Sequence, residues 1–493
     1  MKHRYRSDNV GAAIAALLLS ACAAGPDYVR PSVEMPAAYK ELATTGANWK
    51  PAEPRDDSPR GKWWEIFGDA ELNALEEQVQ IGNQNVAQAE ARFRAASALV
   101  RSARANYFPI VSADASVSRS GGGRGGGGVS NNASGGGTRA STSHTLALDL
   151  NWEIDLWGRV RRTVEAQSAG AAASAADLSG IRLSAQAALA SNYFQLRQVD
   201  AQRQLLADTS AAYTKTLEVT KNRYAGGVSA RVDVAQAETQ VKNTQVQAID
   251  LGVARSQLEH AIALLLGKPA SSFSIAAATP QRFTDKALPA IPVAGLPSEL
   301  LERRPDIAAA ERRVAAANAP IGVAKAAYFP ALSLSASGGF SSLELAGLLT
   351  APNRFWSIGP ALAQSLFDGG LRRSQTDQAI ANYDANVAAY RQTVLAGFAE
   401  VEDQLAALRI LEQEAAAQDD ALASARESLA LTFNQYKAGT VSYLNVVTAQ
   451  ATALASERNA VTVFGNRMTA SVQLIRALGG AWEDVREGAA PRP

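Results

Sequence analysis

The sequence predicts an α+β membrane protein: short strands that form part of a β-barrel shared between several chains, continued by very long α-helices. Three observations predict it. Blocks of residues recur at two fixed offsets, so the chain carries one plan twice. Four segments of about ten residues alternate apolar and polar side chains, the period of a strand with two unlike faces. The stretches 110–268 and 361–490 contain no proline, and apolar residues within them step by threes and fours, the period of a helix with an apolar seam.

Composition narrows the alternatives. Among 493 residues there are 48 Lys or Arg and 47 Asp or Glu, a formal net charge of +1, which provides no general basic face for nucleic acid. The 47% hydrophobic fraction is rich in Ala and only 6% of residues are aromatic, which suits long helices better than one thick globular core. His3, His144 and His260 are far apart and show no metal-ligand spacing, and the one cysteine excludes an intramolecular disulfide. No metal or other cofactor is expected. No apolar run reaches the roughly 18–20 residues of a membrane-spanning helix.

The chain begins with an address. Lys2, Arg4 and Arg6 precede the short apolar run Val10 to Leu19, and Leu19-Ser20-Ala21-Cys22 follows. A cationic head, a short apolar stretch and small residues before a cut site mark a secretory signal. The cut site is similar to a bacterial lipobox. That resemblance implies acylation of Cys22, which becomes the mature N-terminus, and Ala23 after it implies sorting to the outer membrane. Each buried CH₂ of the acyl chains adds about 0.8 kcal/mol to the anchorage.

The duplication then sets the order of elements. Glu90, Arg92 and Tyr107-Phe108-Pro109 recur as Glu311, Arg313 and Tyr328-Phe329-Pro330, an offset of 221. Tyr224, Gly227, Asp233, Val234 and Leu266-Gly267 recur as Tyr436, Gly439, Asn445, Val446 and Leu478-Gly479, an offset of 212. The chain therefore divides into a signal peptide (1–21), a lipidated extended segment (22–62), a first repeat (63–280), a second repeat (281–482) and a tail (483–493). The first repeat has strands near 109–119 and 143–154 and long helices over 160–266; the second has strands near 330–340 and 354–366 and long helices over 370–478.

Val111, Ala113, Ala115 and Val117 alternate with small polar residues, as do Leu146, Leu148, Leu150 and Trp152, then Leu332, Leu334 and Ala336; Trp356, Ile358 and Leu362 share one face. Such strands suit a half-buried sheet and equally a barrel wall with lipid on one side and water on the other. The Gly-rich stretch 121–128 between the first two strands lacks a Gly-Lys-Ser/Thr ending and opens no helix, so it is an outer loop rather than a phosphate loop. The helical seam runs through Leu395, Phe398, Val401, Leu405, Leu408 and Leu411 in the second half, and more weakly through Leu189, Tyr193, Leu196, Leu206, Tyr213 and Thr220 in the first. A helix from Ser168 to Asn222 is about 80 Å long at ~1.5 Å per residue.

Four strands do not close a membrane barrel, since the smallest have about eight. An open edge in lipid leaves costly unpaired backbone groups. If these strands stand in a membrane, several chains must therefore share one wall, and a ring of duplicated chains has twice as many units as subunits.

Further motifs carry a family resemblance over nearly the whole chain. They are Cys22-Ala-Ala-Gly-Pro-Asp-Tyr28, Trp63-Trp64 with Asp69-Ala-Glu-Leu72, Arg303-Arg304-Pro305-Asp306-Ile307, Ala315-Ala-Ala-Asn318 with Ile321-Gly322, and Phe367-Asp368-Gly369-Gly370. The chain resembles the TolC-like outer membrane factors, in the lipoprotein (NodT-type) branch that serves resistance-nodulation-division efflux pumps. The resemblance implies a homotrimer, a 12-stranded barrel in the outer membrane of a Gram-negative bacterium and a long periplasmic α-helical barrel. It also implies partnership with a periplasmic adaptor, an inner-membrane resistance-nodulation-division transporter and outer-membrane lipid.

The helix turns are the candidate functional site. Each helix pair reverses at a Gly-containing motif: Arg223-Tyr224-Ala-Gly-Gly227-Val228-Ser229 before Asp233, and Tyr436-Lys-Ala-Gly439 to Ser442 before Leu444-Asn445. Gly suits the left-handed residue that ends a helix, and Ser229 or Ser442 is a candidate cap for the next one. By resemblance these turns form the periplasmic entrance and dock the adaptor. Asp233 and Tyr436 correspond to a latch between the two hairpins, and Leu444 to an apolar constriction. Asn445 and Thr448 stand where relatives often carry carboxylates, which implies weaker attraction for cations. No catalytic constellation is present, so a passive efflux conduit for drugs or toxic compounds, not an enzyme, is expected. A type I protein secretion duct uses the same architecture, and a trimeric coiled-coil adhesive lipoprotein is a further alternative that leaves the strands unexplained.

Overall fold

The computed structural model describes residues 24–33, 39–40, 61–121, 140–277 and 303–480. The signal peptide, Cys22, most of the Gly-rich loop, the start of the second repeat and the tail from 483 lie outside the described residues. A 3-10 turn at Trp63–Phe67 leads into α1 (Ala70–Gly82) and α2 (Gln84–Ala105). Strands β1 (Ile110–Ser120) and β2 (Ser141–Ile154) follow, then α3 (Arg159–Ala225) and α4 (Arg231–Leu265). The second half gives α5 (Pro305–Ala326), β3 (Ala331–Ser342), β4 (Arg354–Ala363), α6 (Leu371–Ala438) and α7 (Tyr443–Ala477). Among the described residues no helix is long and apolar enough to cross a membrane.

The chain forms two compact units. The first comprises residues 1–31, 94–173 and 311–389, the second 32–93, 174–310 and 390–493.

The first unit holds one antiparallel sheet in the order β1-β2-β3-β4. The Tyr-Phe-Pro motifs start its strands. Phe108 and Phe329 close the preceding helices with bonds to Ala105 O and Ala326 O, and the proline that follows has no N–H to continue the helix. Register places Ala115 opposite Leu146, Leu146 opposite Phe340, Leu150 opposite Ala336, and Ala336 opposite Ile358. All four strands therefore present most of their apolar residues on one face, while Ser112, Asp149, Ser335 and Ser357 share the other with Ile110 and Phe355. Within the chain β1 and β4 each keep one unpaired edge.

The segment 24–33 is pinned to this unit. Ala24 N–H bonds Trp157 O (3.0 Å), Arg162 bonds Asp27 (2.7 Å), Asn318 donates to Pro26 O (3.0 Å) and Tyr28 OH donates to Glu311 (2.5 Å). A Cβ on Gly25 would lie 2.4 Å from Gly322 Cα, so both glycines are needed for the close approach.

The second unit contains a core of Trp63, Trp64, Phe67, Leu72, Leu189, Tyr193, Phe194, Leu196, Ile262 and Met468. Helix α3 lies along α7, with Gln473 donating to Ser191 (2.9 Å), Gln202 to Thr462 (3.0 Å) and Tyr213 OH to Gln450 O (3.1 Å). Arg304 of the Arg-Arg-Pro-Asp motif is buried and joins three elements: it donates to Asp306 (2.6 Å), Glu400 (2.8 Å) and Ala477 O (3.1 Å).

Two expectations about the seams change. Leu395 is 54% exposed and its neighbour Val394 is buried in its place. The buried row on α6 is Val394, Phe398, Val401 and Leu405, stepping by four, three and four, and Leu395 lies about 100° round the helix from Val394 and so falls off it. The first-half seam, weaker in the sequence, is the better buried: Leu189, Leu196, Leu206 and Thr220 are fully enclosed. The Trp63–Phe67 turn and α1 cover α3 around Leu189 to Leu196, while near the far end of α3 Thr220 is buried with its hydroxyl bonding the preceding turn (Thr220 Oγ1 to Thr216 O, 2.9 Å).

Candidate functional site at the helix turns

Both reversals use the same backbone. At the end of α3, Val228 N–H bonds Arg223 O (2.9 Å) and Gly227 N–H bonds Tyr224 O (2.9 Å), with Gly227 at φ 73°. At the end of α6, Thr440 N–H bonds Gln435 O (3.0 Å) and Gly439 N–H bonds Tyr436 O (3.0 Å), with Gly439 at φ 82°. These are two Schellman closures, in which the left-handed glycine lets the last carbonyls find donors.

The expected caps differ. Ser442 is the residue before α7 but its side chain makes no cap, and the residue before α4 is Ala230, not Ser229. Asp233, one turn inside α4, reaches back and accepts from Ala230 N–H (3.3 Å). A carboxylate in the first turn also complements the positive helix end.

Asp233 and Tyr436 are brought together, but through an intermediary. Ser229 Oγ donates to Asp233 Oδ2 (3.0 Å) and lies 3.3 Å from Tyr436 OH. Tyr436 OH also lies 3.5 Å from Thr220 Oγ1, whose proton goes to Thr216 O. With both neighbouring hydroxyl protons committed, Tyr436 is the donor, its single hydrogen shared between Thr220 Oγ1 and the nearer Ser229 Oγ. The direct bond of the expected latch is thus replaced by a relay, Tyr436 to Ser229 to Asp233, because Ser229 occupies the space between the hairpins.

Around the relay the packing is tight. Tyr436 is 3% exposed and sits with Tyr443, Val446 and Ala237, its ring 5.4 Å from that of Tyr443. Burial, with Tyr436, Tyr213 and Asp233 nearby, pushes the Tyr443 hydroxyl up to about 12, so it stays neutral. The Arg223 guanidinium stacks 4.8 Å from the Tyr436 ring and donates to Lys437 O (3.1 Å). A stacked cation of this kind contributes about 0.5–2 kcal/mol. Arg223 is therefore part of the clasp, whereas Tyr224 and Val228 are exposed. Leu444, Asn445 and Thr448 are exposed on α7, where Thr448 Oγ1 bonds Leu444 O (3.0 Å) and Asn445 N–H bonds Ser442 O (3.2 Å). The structure brings none of these three to the relay.

Sequence reasoning missed Ser229 as the bridge and Thr220 and Tyr443 as its walls. The four-residue step from Ser229 to Asp233 was a usable signal, since residues so spaced meet on a helix start. Thr220 was legible only as a seam position and Tyr443 not at all, because their meeting at Tyr436 brings the two repeats together.

A sheet with one apolar face and two unpaired edges, joined to two long helical hairpins, defines a membrane-channel subunit whose wall is completed by further copies. A family model described as outer membrane efflux protein matches residues 75–268 and 296–480. The outer membrane protein OprJ of Pseudomonas aeruginosa is 32% identical over 484 residues, covering 97% of this chain and 96% of that one. The pyoverdine export outer membrane protein OpmQ of the same species is 30% identical, covering 98% of each. Among solved structures, the outer-membrane channel OprN superposes with a TM-score of 0.83 at 30% identity, covering 94% of this chain and all of that one. The chain belongs to the outer membrane efflux protein family. Its fold is that of these trimeric outer-membrane efflux channels, a barrel strand set continued by long helices.

Proposed function

We propose that this protein is the passive outer-membrane duct of a tripartite pump, exporting small toxic compounds and gated at the helix turns. The observation that carries it is the four-stranded sheet, apolar on one face, polar on the other and unpaired at both edges. Three copies would supply the twelve strands of a closed wall, which removes every edge from lipid. The relatives include proteins named for pyoverdine export and toluene efflux, so small organic molecules are the cargo class. A periplasmic adaptor and a resistance-nodulation-division transporter are its partners, the adaptor docking on the turns, where Tyr224 and Val228 are exposed, and Leu444 forming an apolar constriction. The relay from Tyr436 to Asp233 holds the two hairpins together at rest, and adaptor binding opens it. The absence of carboxylates at Asn445 and Thr448 reduces cation preference.

Cys22 carries the lipid in this reading. Support comes from the pinning of Ala24, two residues on, beside Trp157 just past the end of β2, which is where a membrane anchor belongs. The test is conductance of the purified protein in planar bilayers, with the Cys22→Ser variant analysed by mass for lost acyl chains. A protein that forms no pores would end the duct reading, and an unchanged mass would end the lipid reading.

A further inference from the structure

We propose that the loop end of the apolar sheet face binds the phosphate groups of membrane lipid, through Arg119 and Arg354. The register carries the assignment. Arg119 follows Val117 on that face of β1, and Val117 pairs with His144 of β2. Arg354 pairs with Phe340, which pairs with Leu146, so it too stands on the apolar face. Arg119, Arg354 and His144 thus lie at the loop ends of strands whose other residues on this face include Val111, Leu148, Leu150, Leu334, Trp356 and Ile358.

Charge at the two ends of the sheet is unlike. At the helix end, Arg159 is paired with Glu153 (2.5 Å) and Arg372 with Asp368. At the loop end, among the described residues, Arg119 and Arg354 are exposed and have no carboxylate partner, and His144 Nδ1 is buried without a hydrogen bond. The strand carboxylates Asp114, Asp149 and Glu153 all have the opposite parity and share the polar face. The sequence 121–140 contains no Asp or Glu, and Glu344, beyond β3, is the one described carboxylate in the loops at this end.

An arginine facing lipid is costly at mid-bilayer and nearly free at the interface. These residues therefore mark the level of the headgroups, and the missing counter-charge is an anion that the membrane supplies. The guanidinium fork matches phosphate oxygens in pairs. A lipid fits better than free phosphate, because its acyl chains continue down the exposed Trp356, Leu148 and Ile358. The inference rests on the outer-membrane reading of the sheet.

The experiment measures lipid retained by the full-length trimer in detergent, using native mass spectrometry with bisphosphorylated lipid A and its dephosphorylated form as probes. The expected result is about tenfold preferential retention of the phosphorylated form, the scale of one strong charge-assisted contact. That preference should vanish in Arg119→Gln/Arg354→Gln and persist against millimolar inorganic phosphate. Equal retention of the two lipids by the unaltered protein would overturn the proposal without any variant, as would displacement by inorganic phosphate alone. Conductance of the same preparation separates the failures. A conducting protein indifferent to lipid phosphate loses only this site; one that neither inserts nor conducts loses the membrane reading and the site with it.

Discussion

The two helix turns share a backbone and differ in company. Tyr436 of the second repeat is 3% exposed, clasped by Arg223, Ser229 and Tyr443, whereas its counterpart Tyr224 in the first repeat is 47% exposed. The glycine closures at Gly227 and Gly439 are the same bond for bond. Duplication therefore copied the turn, and later substitution decided which side of each turn is completed within the chain. Ser229 and Asp233 have Val441 and Asn445 as counterparts at the 212 offset, so the second hairpin has no equivalent relay to offer. The exposed Tyr224 is left for a different surface.

The strongest way to break this comparison is to truncate both tyrosines. Tyr436→Ala should cost about 3–5 kcal/mol of stability, as removal of a buried aromatic side chain does. Tyr224→Ala should stay within about 0.5 kcal/mol in the isolated chain. Thermal unfolding followed by circular dichroism reads both, and equal losses would mean that the two turns are equivalent after all.

A second measurement checks that unfolding reports on the unit that holds both turns. Glu76 on α1 is fully buried, and neither carboxylate oxygen has a hydrogen-bond partner among the described residues. Burial raises its pKa from 4.5 to about 9. The folded state thus holds a proton that the unfolded state releases between those values. Its contribution is fully favourable below about pH 4.5 and is lost as pH rises to about 9, a penalty near 3 kcal/mol at pH 7. Glu76→Gln should remove the penalty, so the variant gains stability at pH 8 and gains little at pH 4.5. A variant that gains equally at both pH values would show that the carboxyl is not titrating there.

Smaller effects sharpen the contrast. Asp233→Ala and Ser229→Ala should each weaken the clasp by about 1–3 kcal/mol and raise single-channel conductance. Gln236→Ala, on the same turn of α4 but outside the relay, should leave conductance unchanged. The smallest effect is expected from Asn445→Asp, which restores a carboxylate to an exposed site. Cation over anion permeability should rise by less than about threefold, and the rise should fade in high salt. Reversal potentials in a salt gradient measure it.

Much of this molecule was legible before any coordinates. The strand faces follow from alternation, and β1 to β4 start where Tyr-Phe-Pro and the polar loops predict. The helix reversals follow from Gly227 and Gly439, since an L residue at positive φ is strained. The candidate gate was legible only in part. Asp233 and Tyr436 were identifiable, and the step from Ser229 to Asp233 was a usable local signal, but the approach of Ser229 to Tyr436 was not, because it joins residues far apart in the chain. Leu395 was misplaced because a row of threes and fours does not say which edge of it another helix covers. Glu76 gave no sign of its burial, since a carboxyl in a helix is ordinarily on the wet side.

Period and punctuation are local properties, written within a few residues by sterics and hydrogen-bond geometry. Duplication, strand parity, helix ends and the need for a shared wall are therefore settled by the order of residues alone. Partnership across long separations is not local. That Arg304 joins three elements, that Ser229 relays Tyr436 to Asp233, and that one tyrosine is buried while its twin is exposed were decided only when helices far apart in the chain packed together. The reason is that a side chain's environment depends on what arrives from elsewhere, and nothing in its own neighbourhood encodes it.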